Sequence, residues 1–407
     1  MQQIVTFLWR AAIASMLLLL AAIAGLFRAV RTTRDLPEEG LVIVMTGTFY
    51  TDNWIRTHLV PLARCDRVKC VYMVATTPVP DMDGVVSVYP GERASQLMGG
   101  TLARLWAFIR TCKRVDADIA GGFHLLLNGL IARIVAVVRG TRSLYICGGG
   151  VREVEGGGYR TQNKLFVKIG YASPLIERLL IETVLDMDFV ITMGSSVREF
   201  FLDLGARGNV VINPGGFDID EFRPPAADLA RDFDQVTVGR VSGVKRLDLL
   251  VSVIELFERE GIQTTACIVG DGPLLERLKE DARKRGVDGR IEFAGWQADV
   301  YPWLARSRVF VLTSESEGLS QAMIQAMLCG LPAVVSDVGD LSDLVVDGVN
   351  GGLVQELEAQ KFVDKLKPLL QDAGAIDRMS RAARESAEAV SLENIGRRWS
   401  DILVDGR

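Results

Sequence analysis

Residues 309–337 read "VFVLTSESEGLSQAMIQAMLCGLPAVVSD". An apolar run, an acidic turn, an apolar helical stretch and a second apolar run follow in order. Short apolar runs bounded by turn residues are what strands covered on both faces look like. A strand, a crossover helix and a second strand form a βαβ unit, whose strands lie parallel. Met323, Ile324, Met327 and Leu328 make the core-facing stripe of the helix. Glu317 sits just before it and Gln325 one to two turns inside.

The same rhythm extends in both directions. Upstream in this half lie "QVTVGRV", "TTACIVG" and "RIEFAG", with helices predicted near 246–260, 273–285, 299–306 and 320–330. Nearer the amino end, "LVIVMTG" (41–47), "VKCVYMVATT", "ADIAGGF", "SLYICGG" and "FVITMGS" read as strands. "LARLWAFIRTC", "LLLNGLIARIVAVV" and "PLIERLLIETVL" read as helices between them. The pattern breaks in "INPGGFDIDEFRPPAAD" (212–228), a Gly, Pro and Asp-rich linker. The expected architecture is α/β with two Rossmann-like domains, over 35–225 and 226–385. Residues 386–407, with "ENIGRRWSDILV", form a final helix that could return to the first domain.

Composition excludes several classes. The 407 residues carry a net charge of -5, against the basic face of a nucleic-acid protein. Six cysteines lack CxxC spacing and sit largely in apolar runs, as reduced thiols do. Two histidines, His58 and His124, are too few for a His-rich metal centre.

The amino end differs from the rest. Ala11–Phe27 contains no charge, and Arg28, Arg31 and Arg34 follow it against Arg10 alone before it. Residues 1–34 therefore read as a single-pass membrane anchor and its linker, with the bulk of the chain cytoplasmic. A cleaved signal peptide is the rival reading, since "AIAG" resembles a small-residue cleavage site.

Ligands of open α/β sheets sit beyond the carboxyl ends of the strands. In "VGRVSGVKR", Arg240 follows a strand and Lys245 comes soon after, two cations suited to a diphosphate. "VGDGPLLERL" imitates a dinucleotide fingerprint but has Leu275 at the third glycine position, so a tight turn explains it better. At the mouth of the 320–330 helix, free amides attract phosphate. Glu317 there would have to reach past the phosphates to neutral hydroxyls, as on a sugar, and Gln325 could hold a ribose diol.

From "GRVSGVKRLDLL" through "CIVGDGPLLERL" to the stretch "IEFAGWQADVYPWLARSRVFVLTSESEGLSQAMIQAMLCGLPAVVSDVGDLSDLVVDGVNGGLV", the chain resembles the retaining GT-B sugar-nucleotide glycosyltransferases of family 4. The resemblance is dense over roughly 235–355. It implies that Arg240 and Lys245, beside Gly239, hold the donor diphosphate and that Glu317 holds the donor sugar. Gln325 would hold the ribose, where the family has a second Glu. Amides around Gly318, Leu319, Ser320 and Gln321 would cap phosphate, and Trp296 and Gln297 would border the base. The neutral amide at 325 weakens ribose holding by about tenfold, since charged hydrogen bonds are worth roughly 1.5–3 kcal/mol against about 1 for neutral ones.

The amino-terminal match is looser. Gly47 and Thr48 in "TGTFYTDNW" are donor or acceptor candidates. Cys147 in "YICGGGVREVEGGG" occupies the place of the family's histidine turn, with His124 as a possible substitute. The glycine-dense 148–159 segment suits a mobile loop, in which Gly148, Arg152 and Glu153 could face acceptor or solvent. "DMD" at 81–83 and 186–188 is set aside as a metal motif, because the fold needs no metal.

The chain is thus expected to transfer a sugar from a UDP- or GDP-linked donor, with retention and no cofactor, in a cleft between the domains. The acceptor would be lipid-linked or a polysaccharide at a membrane, and no nucleic acid is involved. A catalytically degenerate GT-B subunit that binds nucleotide or a partner glycosyltransferase is the alternative, and a GT-B-fold epimerase lacks the acids and histidine it would need.

Overall fold

The computed structural model describes residues 2–30, 32–48, 51–161, 163–226 and 228–405. Arg31 of the post-anchor arginines, Phe49 and Tyr50 of "TGTFYTDNW", and Ala227 of the linker lie outside the described residues.

The chain divides into two units, Met1–Gly216 with Leu392–Arg407, and Phe217–Ser391. The first contains β1 (Leu41–Thr46), β2 (Val68–Val74), β3 (Val85–Val88), β4 (Ile119–Phe123), β5 (Arg142–Cys147), β6 (Phe189–Thr192) and β7 (Val210–Ile212). They pair in the order β3-β2-β1-β4-β5-β6-β7, every pair parallel. The second contains β8 (Phe233–Val238), β9 (Ala266–Val269), β10 (Ile291–Gly295), β11 (Ser307–Leu312), β12 (Ala333–Ser336) and β13 (Gly351–Val354). Their order is β10-β9-β8-β11-β12-β13, again all parallel. The stretch 309–337 is β11, the helix Gln321–Leu328 and β12, with Phe310 beside Ala333 and Leu312 beside Val335.

In both sheets the winding reverses once, between β1 and β4 and between β8 and β11. A crevice opens there because the flanking crossovers leave on opposite faces, and the loops after those strands line it. The fold thus singles out the residues after Thr46 and Phe123 in one unit, and after Val238 and Leu312 in the other.

Each sheet is covered by helices whose apolar residues recur every three or four positions. In the helix Leu247–Arg259, Leu250, Val253, Ile254 and Phe257 are fully buried. They meet Val309, Val311 and Val334 of the sheet and Phe362 and Leu366 of the helix Ala359–Gln371. The final helix, Leu392–Asp405, belongs to the first unit and packs on the helix Asp52–Ala63. Arg67 donates to the Leu403 carbonyl, and Cys65 Sγ lies 3.2 Å from Ser400 Oγ.

Gln2–Val30 is one continuous helix, of which Val5–Phe27 is long and apolar enough to cross a membrane. One side of it is nonetheless part of the first unit's core. Ile13, Ala14 and Leu17 are buried among Leu126, Phe166, Ile176 and Leu180. Arg10 stacks on the Tyr171 ring at 3.6 Å and donates to the Ala172 carbonyl.

The aspartates of "DMD" 186–188 have structural partners. Asp186 pairs with the buried Arg133, while Asp188 accepts from Ser143 N at 2.8 Å and Ser143 Oγ at 2.7 Å. All six thiols are free, and burial pushes those of Cys112, Cys267 and Cys329 up to about 12.

Candidate functional site

In the second unit, the loops after β8 and β11 meet. Lys245 Nζ donates to Glu317 Oε1 at 2.5 Å, and Ser314 Oγ donates to the same oxygen at 2.5 Å. The two charged side chains are 22% and 12% exposed, so both remain reachable from solvent. Lys245 is oriented from its own backbone, because Thr313 Oγ1 lies 2.9 Å from its carbonyl oxygen. A Cβ on Gly239 would fall 3.8 Å from Lys245 Nζ, so the ammonium lies over the end of β8. Arg240 follows directly, exposed and without an ion pair among the described residues. The neighbouring Arg246 is committed to carboxylates, Glu315 at 3.0 Å and Asp248 at 3.1 Å.

The loops after β9 and β12 back this arrangement. A Cβ on Gly272 would approach the Val241 carbonyl oxygen to 2.3 Å, so the β8 and β9 loops interlock there. That contact, together with the Val241 N to Asp271 O bond at 3.0 Å, accounts for the false dinucleotide fingerprint. Gly339, at φ +61, presses on the backbone of Glu317, and any side chain would meet the Glu317 carbonyl oxygen at 2.0 Å.

Ser320 caps the helix Gln321–Leu328, its Oγ accepting from Met323 N at 3.3 Å. Ahead of it Gly318 is exposed, with no atom within 4 Å of where a Cβ would stand. Leu319 and Gln321 are half-buried. Gln325 is 5% exposed and makes no side-chain hydrogen bond among the described residues. A buried amide left open in this way is suited to an incoming hydroxyl. Trp296 is 71% exposed after β10, while Gln297 Nε2 donates to the Ala294 carbonyl at 2.7 Å.

The switch point of the first unit is built differently. His124 follows β4 at φ +61, its ring stacked on Trp54 at 5.9 Å. Its Nδ1 lies 2.9 Å from Glu153 Oε1, and since a carboxylate only accepts, the ring donates from Nδ1. Glu153 is buried rather than solvated, at 3% exposed. It also accepts from Gly149 N at 2.6 Å, Tyr145 OH at 3.1 Å and Leu125 N. Its carboxylate therefore clasps the glycine-dense segment to β4 and β5, where the sequence suggested a mobile loop. Burial alone would lower the His124 pKa, but the charge and hydrogen bond of Glu153 carry it above the ordinary value.

Cys147 is fully buried, its thiol directed at the Gly150 carbonyl 3.6 Å away. His124 is the histidine at this crevice, with Gly148 against it. Gly47 is buried, while Thr48 and Arg152 are exposed. His58 also stacks on Trp54, at 4.3 Å, and burial drives its pKa down to about 4.

Arg104 escaped the sequence reading. It is 3% exposed, donates to Thr46 Oγ1 at 2.6 Å at the end of β1, and has no carboxylate partner among the described residues. Burial lowers its pKa to about 10. The signal was present, because Arg104 shares the buried stripe of Ala103, Ala107, Phe108 and Thr111. Among the described residues, no group of three or more His, Cys, Asp or Glu is placed to hold a metal ion.

Residues 233–372 match the model of the family described as Glycosyl transferases group 1. The chain is 27% identical over 168 residues to the N-acetyl-alpha-D-glucosaminyl L-malate synthase of Bacillus anthracis, covering 40% of this chain and 44% of that protein. It is 29% identical over 167 residues to the lipopolysaccharide core biosynthesis glycosyltransferase LpsE of Rhizobium meliloti, covering 36% and 49%. The chain thus spans less than half the length of these curated relatives. Among solved structures it is similar to Anabaena Alr3699/HepE in complex with UDP, with a TM-score of 0.69, 18% identity and coverage of 89% of this chain and 99% of that one. The fold is therefore that of the GT-B proteins, two Rossmann-like units, and the second unit carries the match to glycosyl transferases group 1.

Proposed function

We propose that the chain is a glycosyltransferase that moves a sugar from a nucleotide-diphosphate sugar to a saccharide or lipid-linked acceptor. The observation that carries this reading is Glu317, held by Lys245 and Ser314 at the switch point of the second sheet. A solvent-reachable acid paired with a lysine, beside a helix mouth and an open Gln325, suits a ligand that brings both phosphate and hydroxyls. When the donor enters, Lys245 turns from the carboxylate to the diphosphate and Glu317 is released to the sugar hydroxyls. Arg240 and the amides from Gly318 to Gln321 complete the anion site, and Trp296 offers a face to the base.

The positive charge around the leaving diphosphate is then fixed before reaction, so bond breaking costs little reorganisation. The reaction proceeds with retention, by front-face attack in which the departing phosphate takes the acceptor's proton, without a metal. His124, Gly47, Thr48 and Gly148 are assigned to the acceptor side. UDP serves as the nucleotide, as in the Anabaena complex. The test is release of nucleotide diphosphate from a panel of UDP- and GDP-sugars in the presence of a chelator. Turnover by the unaltered chain, lowered about a hundredfold or more in Glu317→Ala, supports the reading; equal release by both, or binding without turnover by either, removes it.

A further inference from the structure

The helix Gln2–Val30 has two unlike sides. Ile13, Ala14, Leu17 and Ala24 are buried against the first unit. The opposite side is apolar yet open: Phe7, Leu8, Leu18, Leu19 and Leu26 are 51–67% exposed and Val30 76%. A helix lying on a soluble domain ordinarily turns charged residues outward. Between residues 2 and 27 the single charge is Arg10, and it is drawn inward to Tyr171 and Ala172.

Beside this stripe runs a surface of another kind. Arg160, Lys164, Lys168 and Arg178 are exposed, interleaved with exposed Val167, Tyr171 and Leu175. The two surfaces are continuous, since Lys168 Nζ lies 4.2 Å from the Trp9 ring centre and Arg10 covers Tyr171. Cations and aromatic rings at the border of an apolar strip fit the headgroup level of a bilayer with anionic lipids.

The helix is long enough to span, because 23 residues at about 1.5 Å each exceed the roughly 30 Å hydrocarbon core. Its attachments argue otherwise. Near its start it is fixed to Tyr171 and Ala172, and just past its end Arg34 N donates to the Gly140 carbonyl at 2.8 Å. Along its length it packs on the helices Leu130–Arg139 and Pro174–Leu185. A helix crossing in this state would drag irregular backbone of the first unit into lipid, where unpaired peptide groups are not tolerated.

We infer that Gln2–Val30 lies flat in one leaflet, its outer stripe among acyl chains and the Arg160–Arg178 surface on anionic headgroups. This placement does not depend on the glycosyltransferase reading.

The test uses the full chain expressed in bacterial cells, with cysteine introduced as Gln3→Cys or Thr33→Cys and the unaltered chain as blank. Both positions react with an impermeant maleimide in inside-out vesicles and neither reacts in intact spheroplasts. Labelling from opposite sides, or recovery of the chain in the soluble fraction, overturns the inference. In flotation with phosphatidylglycerol vesicles, the combined Leu8→Asp, Leu19→Asp and Leu26→Asp variant loses about tenfold or more of its bound fraction. The Lys164→Glu, Lys168→Glu variant loses its preference for phosphatidylglycerol over phosphatidylcholine. Because these side chains are exposed, thermal melts stay unchanged. Unaltered flotation in both variants, or a lipid-independent dimer that covers the stripe, counts against it.

Discussion

Each switch point holds a carboxylate with a basic partner, yet the two are built for opposite ends. Glu317 has two donors on one oxygen, Lys245 and Ser314, and both charged groups are partly open to solvent. Glu153 has four donors across both oxygens and its side chain is 4% exposed. A buried carboxylate is tolerated only when its lone pairs are filled, and filling them immobilises it. A carboxylate left half-satisfied near water can exchange partners. The second unit therefore carries an acid free to change partners, and the first carries an acid that fixes the backbone around it.

The sharpest break of this contrast is at Glu317. Glu317→Ala should lower transfer by about 10²–10³ at little cost in stability, as removal of one fixed polar group in a reaction site does. Steady-state rates with a matched thermal melt would show it. Glu153→Gln should act the other way. It keeps the shape but removes the charge that raises the His124 pKa, and leaves donors facing an amide. A loss of about 1–3 kcal/mol in stability is expected, with the His124 titration moving to lower pH by NMR. If Glu153→Gln left the melt and the titration intact, the structural role assigned to it would be gone.

The two histidines stacked with Trp54 extend the comparison to pH. His58 is held near 4 by burial, below its unfolded value of about 6.5. The unfolded chain therefore takes up the proton first, and stability falls as pH drops from about 6.5 toward 4. The loss at pH 5 is on the order of 1–2 kcal/mol. His124 works in reverse: its raised pKa gives stability that is full below about 6.5 and lost as pH rises through its folded value. Urea midpoints of His58→Gln between pH 7 and 5 should fall less than those of the unaltered chain. The smallest effect is expected at Gln325→Glu, which should tighten donor binding up to about tenfold. Isothermal titration with the nucleotide diphosphate sugar would measure it.

Legibility followed burial pattern. Strands such as Leu41–Thr46 and Ser307–Leu312 were plain because both faces are covered and each carries an unbroken apolar run, "LVIVM" in the first and "VFVL" in the second. Two edge strands were not, although the edge strand β10 was read from "RIEFAG": "VVSV" of β3 is only partly buried, and "GGLV" of β13 looks like a turn. In β13, Gly351 is set by a neighbour, since a Cβ there would meet the Ala333 carbonyl oxygen at 2.0 Å. Lys245 and Glu317 could be named because local order placed both at the ends of strands that the winding brings side by side. The clasping role of Glu153 could not be read, because its donors come from residues 124, 125, 145 and 149, gathered only when β4 and β5 pair. The burial of Cys147 could not be read either, since position after a strand does not say which way a side chain turns.

The inward side of the amino-terminal helix has a practical consequence. Trimming the chain to residue 35, the usual way to make a greasy leader manageable, would uncover Leu126, Phe166, Ile176 and Leu180. Sticky, poorly yielding preparations should follow, whereas replacing Leu8, Leu19 and Leu26 by polar residues keeps the lid on the domain and yields the tractable protein.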